Sequence, residues 1–233
     1  MTHLHLADGI LPVWLWLSGL VAAGIGVGLV AYGHRGDRAD RLTLLGALGA
    51  LMLAASAVPI GPIGHLSFAP VVGILLGPGL GFVAATLVNA TLALLGHGGI
   101  TVVGLNACVL GAGTAVARPA YRLFLRRAPA GRAAAFAAVV SVLVSIAVLS
   151  LVLVLAGPLT GSPGSHDAHG AHGLLEAASS TGRFALFSSP FWLLGLVAES
   201  LVTASVISFL ARVRPELLPV PGGAPLGAPV RVP

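Results

Sequence analysis

The sequence predicts an all-α polytopic membrane protein, a bundle of about seven transmembrane helices with its N-terminus outside. Three observations carry that prediction. First, 57% of the 233 residues are hydrophobic and only 8% are charged, against roughly 25% charged in an ordinary soluble domain. Such a chain cannot cover a globular surface with polar side chains. A soluble enzyme, a disordered protein and a nucleic-acid binder are all disfavoured at once. Second, the apolar residues fall into seven segments separated by short polar or Gly/Pro-rich breaks. Third, the arginines sort onto alternate connections between those segments. No polar stretch is long enough to be a second domain, so residues 1–233 read as one integral membrane domain. Within it lie an outer tail 1–11, a His-rich outer loop 158–184 and a cytoplasmic tail 213–233.

The first segment, about 12–33, is long enough to span the roughly 30 Å of hydrocarbon. No Lys or Arg precedes it and Asp8 sits just before it, so it does not read as a signal peptide and is expected to be retained. The second, about 42–58, ends at Pro59. The third, about 67–77, is too short to span alone and stops at Gly77-Pro78-Gly79. The fourth covers about 80–96, and the fifth starts near Ile100 and runs toward or past Arg118. The sixth is about 131–157 and the seventh about 185–212. A short segment beside a Gly/Pro break suggests helices that line a cavity rather than lipid.

Orientation follows from the basic residues, which are 12 Arg and no Lys. With the N-terminus outside, Arg35, Arg38 and Arg41 fall in the first cytoplasmic loop. Arg118, Arg122, Arg126, Arg127 and Arg132 fall in the next large one, and Arg212, Arg214 and Arg231 in the tail. Only Arg183 is left outside. The net charge of +5 is then a topology signal, and a nucleic-acid partner loses its support. Trp14, Trp16 and Trp192 fall near the outer interface, where amphipathic rings are favoured.

The same threading puts seven of the eight histidines outside, and only His34 inside. Neutral imidazole is the commonest protein ligand for late transition metals. The start, Met1-Thr2-His3-Leu4-His5, offers an α-amine, backbone amides and an early imidazole. Four such nitrogens in a plane suit Ni(II) or Cu(II). If Met1 is removed, Thr2 supplies the amine and His3 becomes the second residue. The plain alternative is a solvated tail with two incidental histidines. His65 lies in the irregular stretch Pro59-Ile-Gly-Pro-Ile-Gly-His-Leu-Ser, which could bring an imidazole to that tail or serve only to stabilise a loop. His97, in Leu95-Gly-His-Gly-Gly-Ile, is a candidate entry or supporting residue, or an interfacial turn histidine. His166, His169 and His172, with Asp167, have a metal-capturing composition on a Gly/Ala frame that fixes no geometry; a flexible solvated loop is the alternative.

Glu199 lies inside the seventh segment, where a carboxylate is costly unless it is functional or hydrogen-bonded. A structural role ranks above that of a transport ligand, with Asn89 and Asn106 as possible partners. Gly24/Gly28 and Ala22/Gly26 place small residues at i, i+4 and permit close helix packing. Without Lys the chain cannot carry a P-loop, so it binds no nucleotide in that manner. The single Cys108 excludes an internal disulfide and a CxxC metal site.

Four stretches carry a family resemblance: His5-Leu-Ala-Asp-Gly-Ile-Leu; Gly64-His-Leu-Ser with Gly73-Ile-Leu-Leu-Gly-Pro; Gly98-Gly-Ile-Thr-Val-Val-Gly-Leu-Asn; and Glu199-Ser-Leu-Val-Thr running to Arg214-Pro-Glu-Leu-Leu. In this the chain resembles the membrane substrate-binding (S) subunit of energy-coupling-factor cobalt/nickel transporters, the CbiM/NikM family. The resemblance implies a bundle of seven helices with an outer N-terminus. It also implies a metal site made of the N-terminal amine, the second-residue histidine with its backbone amide, and a loop histidine that corresponds to His65. His5 matches the first histidine by its spacing to Asp8-Gly9, and His3 matches it by distance from the chain start.

The resulting expectation is a multi-pass plasma-membrane subunit, not an enzyme, that binds Ni(II) or Co(II) as transported substrate. A transmembrane coupling subunit, ATPase subunits and a small accessory membrane subunit are its implied partners, and cobalamin biosynthesis is an implied context. The alternatives are an integral membrane metalloenzyme built on the same histidines and a non-catalytic membrane scaffold subunit.

Overall fold

A computed structural model describes residues 6, 8, 9, 11–33, 39–57, 65–156 and 171–219, with the backbone alone at 39, 171–189 and 191. The described residues form seven α-helices and one 3-10 turn, with no strand among them. In chain order the helices are α1 Val13–Gly33, α2 Ala39–Ala57, α3 Ala69–Leu76, α4 Pro78–Leu94, α5 Val103–Leu125, α6 Ala130–Ala156 and α7 Ala171–Val213. The 3-10 turn, Pro215–Leu217, follows α7.

Four helices hold stretches long and apolar enough to cross a membrane: Val13–Gly33, Asp40–Ala57, Ala130–Ala156 and Trp192–Val213. Their outward faces carry exposed leucine, valine and phenylalanine, such as Leu29, Leu51, Leu151 and Phe209. In water such a surface would drive aggregation; in hydrocarbon it is the solvated side. The inner elements are different. All eight residues of α3 are buried, and α5 packs against α1, α3, α4 and α6.

Glycine sets the closest of these contacts. A Cβ on Gly104 of α5 would run into the backbone of Gly19 and Leu20 on α1, and a Cβ on Gly19 would lie 2.9 Å from the Leu105 nitrogen. The two backbones approach this closely because Gly19 and Gly104 carry no side chain, and the Leu105 side chain packs onto Gly19. The i, i+4 glycines behave differently from each other: Gly26 faces Phe82, whereas Gly24 and Gly28 face open space.

The break after α3 falls where the sequence puts it. Gly77 adopts φ 86°, which a side chain would resist, and Pro78 opens α4. The Gly77 N–H still bonds the Gly73 carbonyl at 2.9 Å, so α3 ends in a closed turn. Two expectations need correction. Arg118 and Arg122 are not in a loop; α5 continues to Leu125 and carries both on its last turns. The seventh helix starts at Ala171, not near 185, so the second half of the stretch expected as a loop is helical. Residues 171–184 are rich in Ala, Leu and Ser but not hydrophobic throughout. A hydropathy reading passes over such a segment although its helix propensity is ordinary.

Candidate metal site

Connectivity brings one set of connections to each end of the bundle. At one end lie the segment before α1, the turn between α4 and α5, and the start of α5. We call this the tail end. The C-terminal turns of α5, which carry Arg118 and Arg122, mark the arginine end.

At the tail end the chain before α1 is tied down by α5. Asn106, in the first turn of α5 and buried, grips both backbone groups of Leu6. The Leu6 N–H donates to Asn106 Oδ1 at 2.8 Å, and Asn106 Nδ2 donates to the Leu6 carbonyl at 3.1 Å. The Gly99 N–H donates to that same carbonyl at 3.3 Å. Leu6 is itself buried, in an apolar cluster with Leu11, Leu15, Val102, Leu105, Val109, Leu149 and Val152. A side-chain amide can pair with a peptide in this way because it carries both a donor and an acceptor.

Two residues further on, Asp8 makes a second tie. Its Oδ2 accepts from the Ile100 N–H and its Oδ1 from the Thr101 N–H, each at 2.9 Å. The Thr101 hydroxyl donates to Oδ1 as well. The Thr101 hydroxyl above all, with the backbone N–H groups of residues 100–102, outweighs burial and holds Asp8 below the ordinary carboxylate range. The approach is close enough that a Cβ on Gly99 would lie 2.6 Å from Asp8 Cγ, which accounts for glycine there. Asp8 therefore places a negative charge at the N-terminus of α5, where the helix dipole favours it.

The segment that carries His65 is fastened from a different helix. Glu199 of α7 is buried at 6% exposure. Its Oε2 accepts the Ser67 N–H at 2.9 Å. The Ala69 N–H donates to Ser67 Oγ at 3.2 Å. Glu199 thus fixes Ser67 just ahead of α3, and Ser67 Oγ satisfies the first helical N–H, which no intrahelical carbonyl can reach. Phe68 has φ 53°, an uncommon value for a residue with a side chain, held between these bonds and the buried start of α3. His65 is half-buried, two residues before Ser67.

Glu199 therefore has a structural hydrogen-bonding role, as expected, but neither expected partner. Asn89 donates to the Ala85 carbonyl of its own helix at 2.8 Å, and Asn106 is committed to Leu6. Neither amide had to find the carboxylate, because each has a nearer backbone partner.

Of the sequence-predicted site residues, His65 and His97 are described with their side chains. His97 is exposed in the turn beyond α4, with its N–H bonded to the Leu92 carbonyl at 2.8 Å, beside the Gly98-Gly99 stretch that meets Leu6. Met1, Thr2, His3, His5, His166 and His169 lie outside the described residues, as does the side chain of His172. Among the described residues no three His, Cys, Asp or Glu side chains come together to hold a metal. What the described residues do contain is the attachment of both candidate ligand segments. Asp8 and Asn106, the residues that make it at the tail, were visible in the sequence only as an acid and an amide with other assignments.

A family model described as CbiM, "Cobalt uptake substrate-specific transmembrane region", matches residues 5–217. The chain belongs to that family. Two solved structures share the CbiM-family fold seen here. "Crystal Structure of an Truncated Transition metal Transporter" aligns with TM-score 0.67 and 21% identity over 89% of this chain and 98% of the other. "Crystal Structure of an transition metal transporter" aligns with TM-score 0.68 and 20% identity over 90% and 93%. No curated protein matches. Membership in this family makes the chain a membrane component of transition-metal uptake.

Proposed function

We propose that this chain is the substrate-binding membrane component of an energy-coupling-factor transporter that takes up Ni(II) or Co(II) across the plasma membrane. The N-terminal amine of Met1 or Thr2, a backbone amide, His3 or His5, and His65 bind the ion on the outer face. His97, His166, His169 and His172 serve at entry. ATP hydrolysis belongs to separate ATPase subunits, reached through a transmembrane coupling subunit and joined by a small accessory membrane subunit.

One observation carries this reading: Asn106 grips both backbone groups of Leu6, the residue next to His5. An extended chain gains at most about 3.5 Å per residue. Leu6, the residue after His5, is thereby fixed at the tail end of the bundle, within a few residue lengths of the proposed ligands in sequence. A terminus held this closely loses less entropy when it closes on an ion than an untethered one does.

Asp8 bears on the metalloenzyme alternative. Both of its oxygens are taken by donors and its proton affinity is lowered. Such a carboxylate suits a clip better than a general base.

The test is uptake of radiolabelled nickel or cobalt by cells carrying the complete transporter. His65→Ala and a His3→Ala/His5→Ala double variant are expected to reduce uptake to background. Full uptake by the double variant would contradict the proposal. A purified chain that retains neither metal would point to a scaffold instead.

A further inference from the structure

We propose that Arg118 is a positioning residue for the metal site: through the rigid helix α3 it sets the placement of the His65 segment at the helix's other end. This rests on the metal-binding reading above.

The arginine end of α3 is held as firmly as its start. Arg118 Nε donates to the Ile74 carbonyl at 2.8 Å, and its Nη2 donates to the Leu75 carbonyl. These are among the last carbonyls of α3, which no later turn of the helix can satisfy. The guanidinium is planar and presents its donors as a fork, so one side chain spans two successive carbonyls. Gly77 completes the fit: a Cβ there would lie 2.9 Å from Arg118 Nη1.

The two ends form one device. Glu199 binds the Ser67 N–H just ahead of α3, Ser67 Oγ takes the first N–H of the helix, and Arg118 binds its last carbonyls. The guanidinium faces the end of the helix dipole that attracts a cation. Between them lie eight residues, about 12 Å of helix. All eight are buried, so α3 has no solvated face along which to bend or fray. Gly73 packs so tightly that a Cβ on it would lie 2.8 Å from the Ala117 Cβ, one residue before Arg118. A displacement at Arg118 is therefore carried along α3 to Ser67 and the His65 segment rather than absorbed locally. The charges that act on Arg118 are Arg122 and Arg41. Among described residues no acid opposes it, so its charge is committed to the α3 carbonyls.

Two readouts on the full chain in detergent test this. The first is hydrogen exchange of the metal-free protein. Arg118→Gln is expected to raise exchange at Ser67 and Phe68 by about tenfold, the order of effect of losing a charge-assisted hydrogen bond. Arg118→Lys, which keeps a cation but not the fork, is expected to fall between wild type and Arg118→Gln. It also serves if Arg118→Gln does not fold. Arg126→Gln, at an exposed position beyond α5, is expected to change neither. Exchange that rises only around residues 74–78 would reduce Arg118 to a local cap and overturn the proposal.

The second readout is Ni(II) titration. Arg118→Gln is expected to weaken binding about tenfold in the wild-type background and not at all further when His65→Ala is already present, because the effect passes through His65. Equal Ni(II) affinity in wild type and Arg118→Gln would overturn the proposal while leaving the metal-binding reading intact. Failure of the wild type itself to bind Ni(II) or Co(II) would remove both.

Discussion

Asn106 illustrates how much a single residue decides at the tail. Its amide supplies two bonds to Leu6 that leucine at the same position cannot make. Each such bond contributes about 1 kcal/mol net, and a buried partner left unsatisfied costs about 1–3 kcal/mol. Asn106→Leu is therefore expected to weaken Ni(II) binding by tenfold or more with the helices intact, as read by calorimetry and circular dichroism. Glu199 acts likewise on the His65 segment. Glu199→Gln keeps an acceptor for the Ser67 N–H and is expected to be mild. Glu199→Leu leaves the Ser67 N–H unpaired and is expected to lower both thermal stability and metal affinity. Asp8 has a pH signature. Its folded-state proton affinity is lowered, so its contribution is present above the unfolded carboxylate value and is lost only as pH falls through the still lower folded value. From about pH 5 to 8 the Asp8 clip is thus constant, and any loss of metal binding in that range is assigned to protonation of the proposed ligands, the amine included, rather than to Asp8. Asp8→Ala is expected to raise amide exchange at residues 99–101 equally across the range.

At the scale of elements, the glycine crossing between α1 and α5 is the tightest test of packing. Gly104→Leu would drive a side chain into the Gly19-Leu20 backbone. Overpacking of this kind costs about 1–3 kcal/mol or more. The variant is expected to melt markedly earlier in detergent, whereas Gly28→Leu, which faces open space, is expected to melt as the wild type does. The element boundaries were largely legible in the sequence, because hydropathy marks spans and Gly77-Pro78 marks a stop. The start of α7 was not, since Ala171 to Phe184 is helical without being uniformly apolar. The polar ties were legible in part. A carboxylate at position 199 inside an apolar segment announces a buried partner but not which one. Ser67 and Leu6 answer through backbone groups, and every residue has those. Arg118 was hidden for a related reason: a basic residue near a helix end reads as a loop charge until the carbonyls of another helix are seen beside it.

For the whole molecule, the two ends have opposite character. Leu6, Asp8 and His97 gather at one, and the helix termini that carry Arg118, Arg122 and Arg126 lie at the other. The arginine distribution predicts that the second faces the cytoplasm. In a Cys108→Ser background, His97→Cys is expected to react with an impermeant thiol reagent added to intact cells, and Arg126→Cys only after the membrane is opened. The opposite pattern would invert the topology and place the tail where no metal arrives from outside. The central claim is that the tethered N-terminus and His65 bind one transition-metal ion. The most direct test is titration of Ni(II) and Co(II) into the purified full-length chain, followed by calorimetry and visible absorption. One ion bound per chain, with a square-planar d–d band for Ni(II) that is lost in His65→Ala, is the predicted result. Binding of neither metal, or a band indifferent to His65, would contradict it.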